Sequence, residues 1–164
     1  MRATPILTPH FSFDGRGPTL RRFLRDEDLH LPGSDEGYAT STGGLCGAEY
    51  DTYSNGHTGT HFMVFHGLQV FQRVPEEVHS YWHGELYSGQ GHVGVFRIEA
   101  STWLASFSQR HLARHSHFIL EWYDDIVEVI CRELIFGEGE FDIARVLPTE
   151  PRLSYAYFRH AMSQ

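Results

Sequence analysis

Lysine is missing from this 164-residue chain: all thirteen basic residues are arginine. Schiff-base chemistry, phosphate loops and lysine general bases are therefore excluded. Cysteine is scarce as well. Cys46 and Cys131 stand far apart with no CxxC pair, which rules out a cysteine metal cage. No stretch approaches the ~20 apolar residues of a membrane span. The opening MRATPILTPHFSF lacks the apolar run of a signal peptide. The expectation is a cytoplasmic protein with reduced thiols and no membrane partner. Positive charge is also in deficit, with a net of −8, which argues against nucleic acid as a partner. The GxSxG elbow is absent too.

Aromatic residues are abundant, with twelve Phe, eight Tyr and three Trp, and are expected to dominate the core. The length suits one domain spanning 1–164, with enough chain to bury about 70% of its unfolded surface. Pro5 and Pro9 oppose helix, so residues 2–13 read as extended. Gly17-Pro18 followed by Leu20, Phe23 and Leu24 reads as a short helix with Pro at its first position. Residues 31–47, rich in Gly, Ser and Thr, read as a mobile loop. Strands are expected at 48–53, 61–66, 68–73, 83–87 and 92–99. Ser101 or Thr102 can cap a helix carrying Trp103, Leu104, Phe107 and His111. Leu153, Ala156, Tyr157, His160 and Ala161 have the spacing of a terminal amphipathic helix. The fold class predicted is α+β: a largely antiparallel sheet with a barrel-like curl and two or three short helices.

The stretch HSHFILEWYDDIVEVICRELIF, residues 115–136, allows side chains to be assigned to faces. Side chains alternate along a strand. A turn centred between Asp124 and Asp125 pairs Trp122 with Val127, Leu120 with Val129 and Phe118 with Cys131. That row is wholly apolar and is expected to be core. The other face then pairs Glu121 with Glu128, Ile119 with Ile130 and His117 with Arg132. Two carboxylates directly opposite each other destabilise a ladder, so a compensating group is expected. His115 and His117 share that face. Hence His115, His117, Glu121 and Glu128 are candidate ligands for one divalent ion, Zn, Fe or Mn. A solvated face with weak surface pairs is the competing reading.

His115, His117 and Glu121 resemble part of the first cupin motif, in which His-x-His and a following Glu bind metal. Gln109 and Glu128 stand where that motif has glycine. A second His cluster, Asn55-Gly56-His57-Thr58-Gly59-Thr60-His61, resembles the His-x-Gly-Thr-His start of the metal-dependent cyclase and formamidase family. The resemblance makes His57 and His61 further metal candidates. Met63 stands at that family's Asp position, and a Gly-rich turn leading into a strand accounts for the same residues. Arg21, Arg22 and Arg25 can hold an anion, although Asp26-Glu27-Asp28 follows them. Tyr81-Trp82-His83 and Tyr87 can line an aromatic pocket, and Cys46 can serve as a nucleophile beside a His.

With no complete catalytic set, the leading expectation is a non-catalytic binding module for a protein or small ligand, in which an oligomer remains open. The alternative is a small metal-dependent enzyme, of hydrolase or oxygenase type, working from the 115–136 hairpin.

Overall fold

The computed structural model describes residues 1–6, 18–25, 45–54, 57–75, 94–107, 110–123 and 125–141. Nine strands make up nearly all of it. They are β1 (Arg2–Pro5), β2 (Thr19–Arg25), β3 (Leu45–Ser54), β4 (His57–His66), β5 (Val70–Pro75), β6 (Val95–Glu99), β7 (Ser116–Glu121), β8 (Asp125–Cys131) and β9 (Glu133–Glu138). All pairings are antiparallel. One sheet has the order β1-β6-β7-β8-β5 and the other β2-β3-β4-β9.

The two sheets share two ribbons, which run along one edge of each. β4 pairs with β9 in one sheet, while their continuations β5 and β8 pair in the other. The crossing lies at Gly67 and Arg132. His66 faces Glu133 and Val70 faces Ile130, so three residues on one ribbon oppose two on the other. Such a bulge lets a strand turn a corner from one sheet into the next. Gly67 sits at φ +66, with the Arg132 side chain so close that a Cβ would meet its Cγ at 2.9 Å. Glycine alone meets both demands cheaply. The Arg132 N–H donates to the His66 carbonyl at 2.9 Å and the Gln69 N–H to that of Ile130 at 2.9 Å, so the corner keeps its backbone bonds.

Between the sheets lies the main core, built from Leu45, Ala48, Tyr50, Met63 and Phe65 on one side and Val95, Phe118, Leu120, Trp122, Val127, Val129 and Cys131 on the other. The apolar row expected from the hairpin is therefore core. Burial also pushes the Tyr50 hydroxyl and the Cys131 thiol towards their neutral forms, raising both pKa values. The outward face of the five-stranded sheet carries a second cluster of Ala3, Phe96, Ile98, Ile119 and Ile126.

The α+β expectation is corrected: the described chain is two antiparallel sheets, with neither a closed barrel nor two or three packed helices. Among the described residues, helical structure is limited to α1 (Thr102–Ser106), five residues long, and a 3-10 turn at Arg110–Arg114. The helix expected after Pro18 is β2. Its register jumps between Leu20 and Arg22, and this irregularity puts Leu20 and Phe23 on the same core. An odd-numbered gap between two inward residues imitates helical spacing. The terminal helix, the strand at 83–87 and most of the 31–47 loop lie outside the described residues.

The hairpin register is corrected as well. β7 and β8 pair Phe118 with Val129, Ile119 with Glu128, Leu120 with Val127 and Glu121 with Ile126. Trp122 and Asp125 exchange backbone bonds of 2.8 and 3.3 Å, so the turn is centred one residue earlier than 124–125 and each partner shifts by two. A slip of two in the pairing preserves every face and changes every partner. Glu121 and Glu128 are consequently not opposite each other.

Candidate functional site

The outward face of the five-stranded sheet gathers the polar residues. His117 lies between Ile98 on β6 and Ile130 on β8. Glu128 lies between Ile119 on β7 and Gln72 on β5. His117 and Glu128 are therefore diagonal neighbours, within reach across a ladder. His117 Nε2 stands 2.7 Å from Glu128 Oε2, and Gln72 Nε2 donates to Glu128 Oε1 at 2.8 Å. His117 is 0% exposed and Glu128 1%.

The chain leaving β6 brings the next member. Ala100 takes a left-handed φ of 51, strained for a residue with a Cβ. That turn delivers Ser101 to the N-cap of α1. Its Oγ accepts the Leu104 N–H at 3.0 Å and lies 2.8 Å from His117 Nδ1. Trp103 of α1 packs edge-on against the His117 ring, with centroids 5.0 Å apart.

One proton arrangement satisfies these contacts with a neutral imidazole. The Ser101 O–H donates to Nδ1, Nε2–H donates to the Glu128 carboxylate, and Gln72 holds the second carboxylate oxygen. The result is a continuous relay, Ser101–His117–Glu128–Gln72, with its first three members buried and Gln72 half-buried, drawn from four separate parts of the chain.

Ser101 faces outward onto a cleft of about 440 Å³ between the end of β6, α1 and the start of β7. Ile98, Leu104 and Ala105 supply apolar wall, while Arg97, Glu99 and His115 bring polar groups. His115 is buried, with Nε2 3.1 Å from the Gly67 carbonyl, so it ties the cleft to the corner between the sheets.

The four hairpin candidates thus have different surroundings. His117 and Glu128 meet directly. His115 turns to Gly67, and Glu121 is buried opposite Ile126. Both ring nitrogens of His117 already lie within hydrogen-bond distance of protein groups. Among the described residues no three His, Cys, Asp or Glu are grouped to hold a metal ion. In the second cluster, His61 on β4 lies against the Tyr50 ring, with centroids 5.8 Å apart. His57 begins the same strand, and its side chain lies outside the described residues.

The remaining candidates divide similarly. Arg22 grips the buried Glu49 carboxylate through two bonds of 2.7 and 3.1 Å. Arg21 reaches Thr60 at 3.1 Å and Glu140 at 3.4 Å. These two arginines serve contacts within the protein. Cys46 is buried in β3, and the Tyr81, Trp82, His83 and Tyr87 set lies outside the described residues.

Two members of the relay, Ser101 and Gln72, were not foreseen as site residues. Ser101 reads from sequence only as a helix cap, and Gln72 carries no local signal. Comparison with protein-family models, curated proteins and solved structures finds no match. No helix among the described residues is long and apolar enough to cross a membrane.

Proposed function

We propose that this protein is a binding module for a small molecule, with the cleft beside α1 as its ligand site. The observation that carries the reading is the composition of that cleft. Its volume of about 440 Å³ falls within the ~300–1,000 Å³ common for small-ligand sites. Apolar wall from Ile98 and Leu104 meets two buried polar side chains, Ser101 and His115. Arg97 and Glu99 stand exposed nearby and offer both charges to a ligand. A concave site of this kind favours a small molecule over a flat protein partner.

The test is a fragment screen by 1H–15N NMR on the full chain. Perturbed amides should cluster at residues 97–105 and 115–116. Ala105→Trp, which puts an indole on exposed cleft wall, should abolish those shifts and leave the rest of the spectrum in place. Fragment binding that persists unchanged in Ala105→Trp, or that maps elsewhere, overturns the assignment.

A further inference from the structure

We infer that Ser101 is an acyl-accepting nucleophile, activated by His117 and Glu128, and that the cleft takes small carboxylic esters. The inference rests on the cleft being a ligand site and adds a reaction to it.

Stability alone is a poor account of the relay. A helix N-cap needs only an acceptor oxygen, and Ser101 already gives that to Leu104. His117 has isoleucines on both flanking strands, and Glu128 has one beside it. A buried ionic group in an aliphatic row costs several kcal/mol in desolvation, and well-packed apolar residues often serve stability as well or better. The order of exposure points the same way. Ser101 reaches the cleft wall, while His117 and Glu128 sit behind it, away from water. Nucleophile, base and orienting carboxylate thus follow in sequence, at 2.8 and 2.7 Å. The imidazole is used in reverse, with serine on Nδ1 and carboxylate on Nε2. Either ring nitrogen can take a proton while the other holds one, so the chemistry is unchanged. The strained Ala100 turn, between a strand and a helix, is what aims Ser101 at the cleft.

The reaction balances without a further reagent except water. Ser101 Oγ attacks the ester carbonyl carbon as its proton passes to His117 Nδ1. The imidazolium is held through Nε2–H by Glu128, a positioning residue fixed in turn by Gln72. The tetrahedral adduct collapses, the carbon–oxygen bond to the alcohol breaks, and Nδ1 returns the proton to the departing alkoxide. Water then repeats the sequence on the acyl-serine, giving the carboxylic acid and regenerating Ser101.

The experiment is fluorophosphonate labelling of the full-length protein, read by intact mass and peptide mapping. Ser101 Oγ should displace fluoride and give one phosphonyl adduct, mapped to Ser101. Ser101→Ala should lose the adduct, and Ser106→Ala, an exposed serine outside the cleft lining, should keep it. With p-nitrophenyl acetate, His117→Asn should lower kcat by about 100-fold. Glu128→Gln should lower kcat with KM unchanged, a split that loosened packing around the cleft would not produce. Folded wild-type protein that takes no label at Ser101 overturns the inference, and so does equal labelling in a folded His117→Asn variant. The wild-type result does not depend on any variant folding. Fragments bound in the cleft without serine labelling would overturn the triad while sustaining the binding site. Absence of both would overturn both.

Discussion

Gly137→Ala is the substitution whose cost can be worked most directly from the structure. Gly137 on β9 pairs with Phe62 on β4, and the Phe62 ring lies across the glycine. A Cβ at residue 137 would fall 2.1 Å from Phe62 Cζ and 2.4 and 2.8 Å from two further ring carbons. No rotation of a single methyl relieves three such contacts, so the ring must move. It packs edge-on against Phe141, at 5.2 Å between centroids, and Phe62 is buried. Forcing carbon into a packed site costs about 1–3 kcal/mol, and losing the aromatic pair adds ~0.5–1.5 kcal/mol. The lower entropy of an unfolded chain with Ala offsets about 0.4–1 kcal/mol. The net expectation is a loss of about 1–3 kcal/mol. Urea denaturation should show a lower midpoint at unchanged m-value. The decisive background is Phe62→Ala, in which the obstructing ring is gone. There Gly137→Ala should cost nothing or stabilise by a few tenths of a kcal/mol. The same loss in both backgrounds, or no loss in the wild type, refutes the steric reasoning.

Leu120→Ala should cost about 2–5 kcal/mol by chemical denaturation, and a loss below about 0.5 kcal/mol would contradict its fully buried place between the sheets. Arg22→Met should cost about 2–3 kcal/mol, because Glu49 is left buried without its guanidinium. Arg73→Met removes an exposed pair with Asp125 and should cost less than about 1 kcal/mol; equal losses at the two sites would contradict the burial argument. Thiol titration with a chromogenic disulfide at pH 8 should find neither cysteine reactive in the folded state, since both are buried and burial raises the Cys131 pKa. Ala100→Gly should raise the unfolding free energy by about 0.5–1 kcal/mol, because glycine takes the left-handed φ without strain, and a lower denaturation midpoint would count against that strain.

Period-two alternation made the core face of the hairpin legible in the sequence. Phe118, Leu120, Trp122, Val127, Val129 and Cys131 all face the core, and parity survives any register error of two. Register itself was not legible, because Asp124-Asp125 does not encode a particular loop, and tertiary packing closed the turn earlier. β2 was lost to helix because its bulge between Leu20 and Arg22 breaks the alternation that marks a strand. The site was half legible for a related reason. His117 and Glu128 belong to one hairpin, so their common face could be read. Ser101 arrives from the turn after β6 and Gln72 from β5, and such contacts leave no trace in local spacing. The expected Glu121–Glu128 opposition needed a compensating group; the observed register removes the opposition and gives Glu128 a histidine and a glutamine instead.

The corner at Gly67 and Arg132 has a consequence for how the molecule comes apart. The ribbons β4–β5 and β8–β9 each run through both sheets. Neither sheet can melt by itself, because losing one frees the ribbons at their shared corner and opens the core that the two sheets enclose. Amide exchange in Phe65, Val64 and Val129, on either side of the bend, should therefore report the same opening event, with a single free energy for the whole described framework.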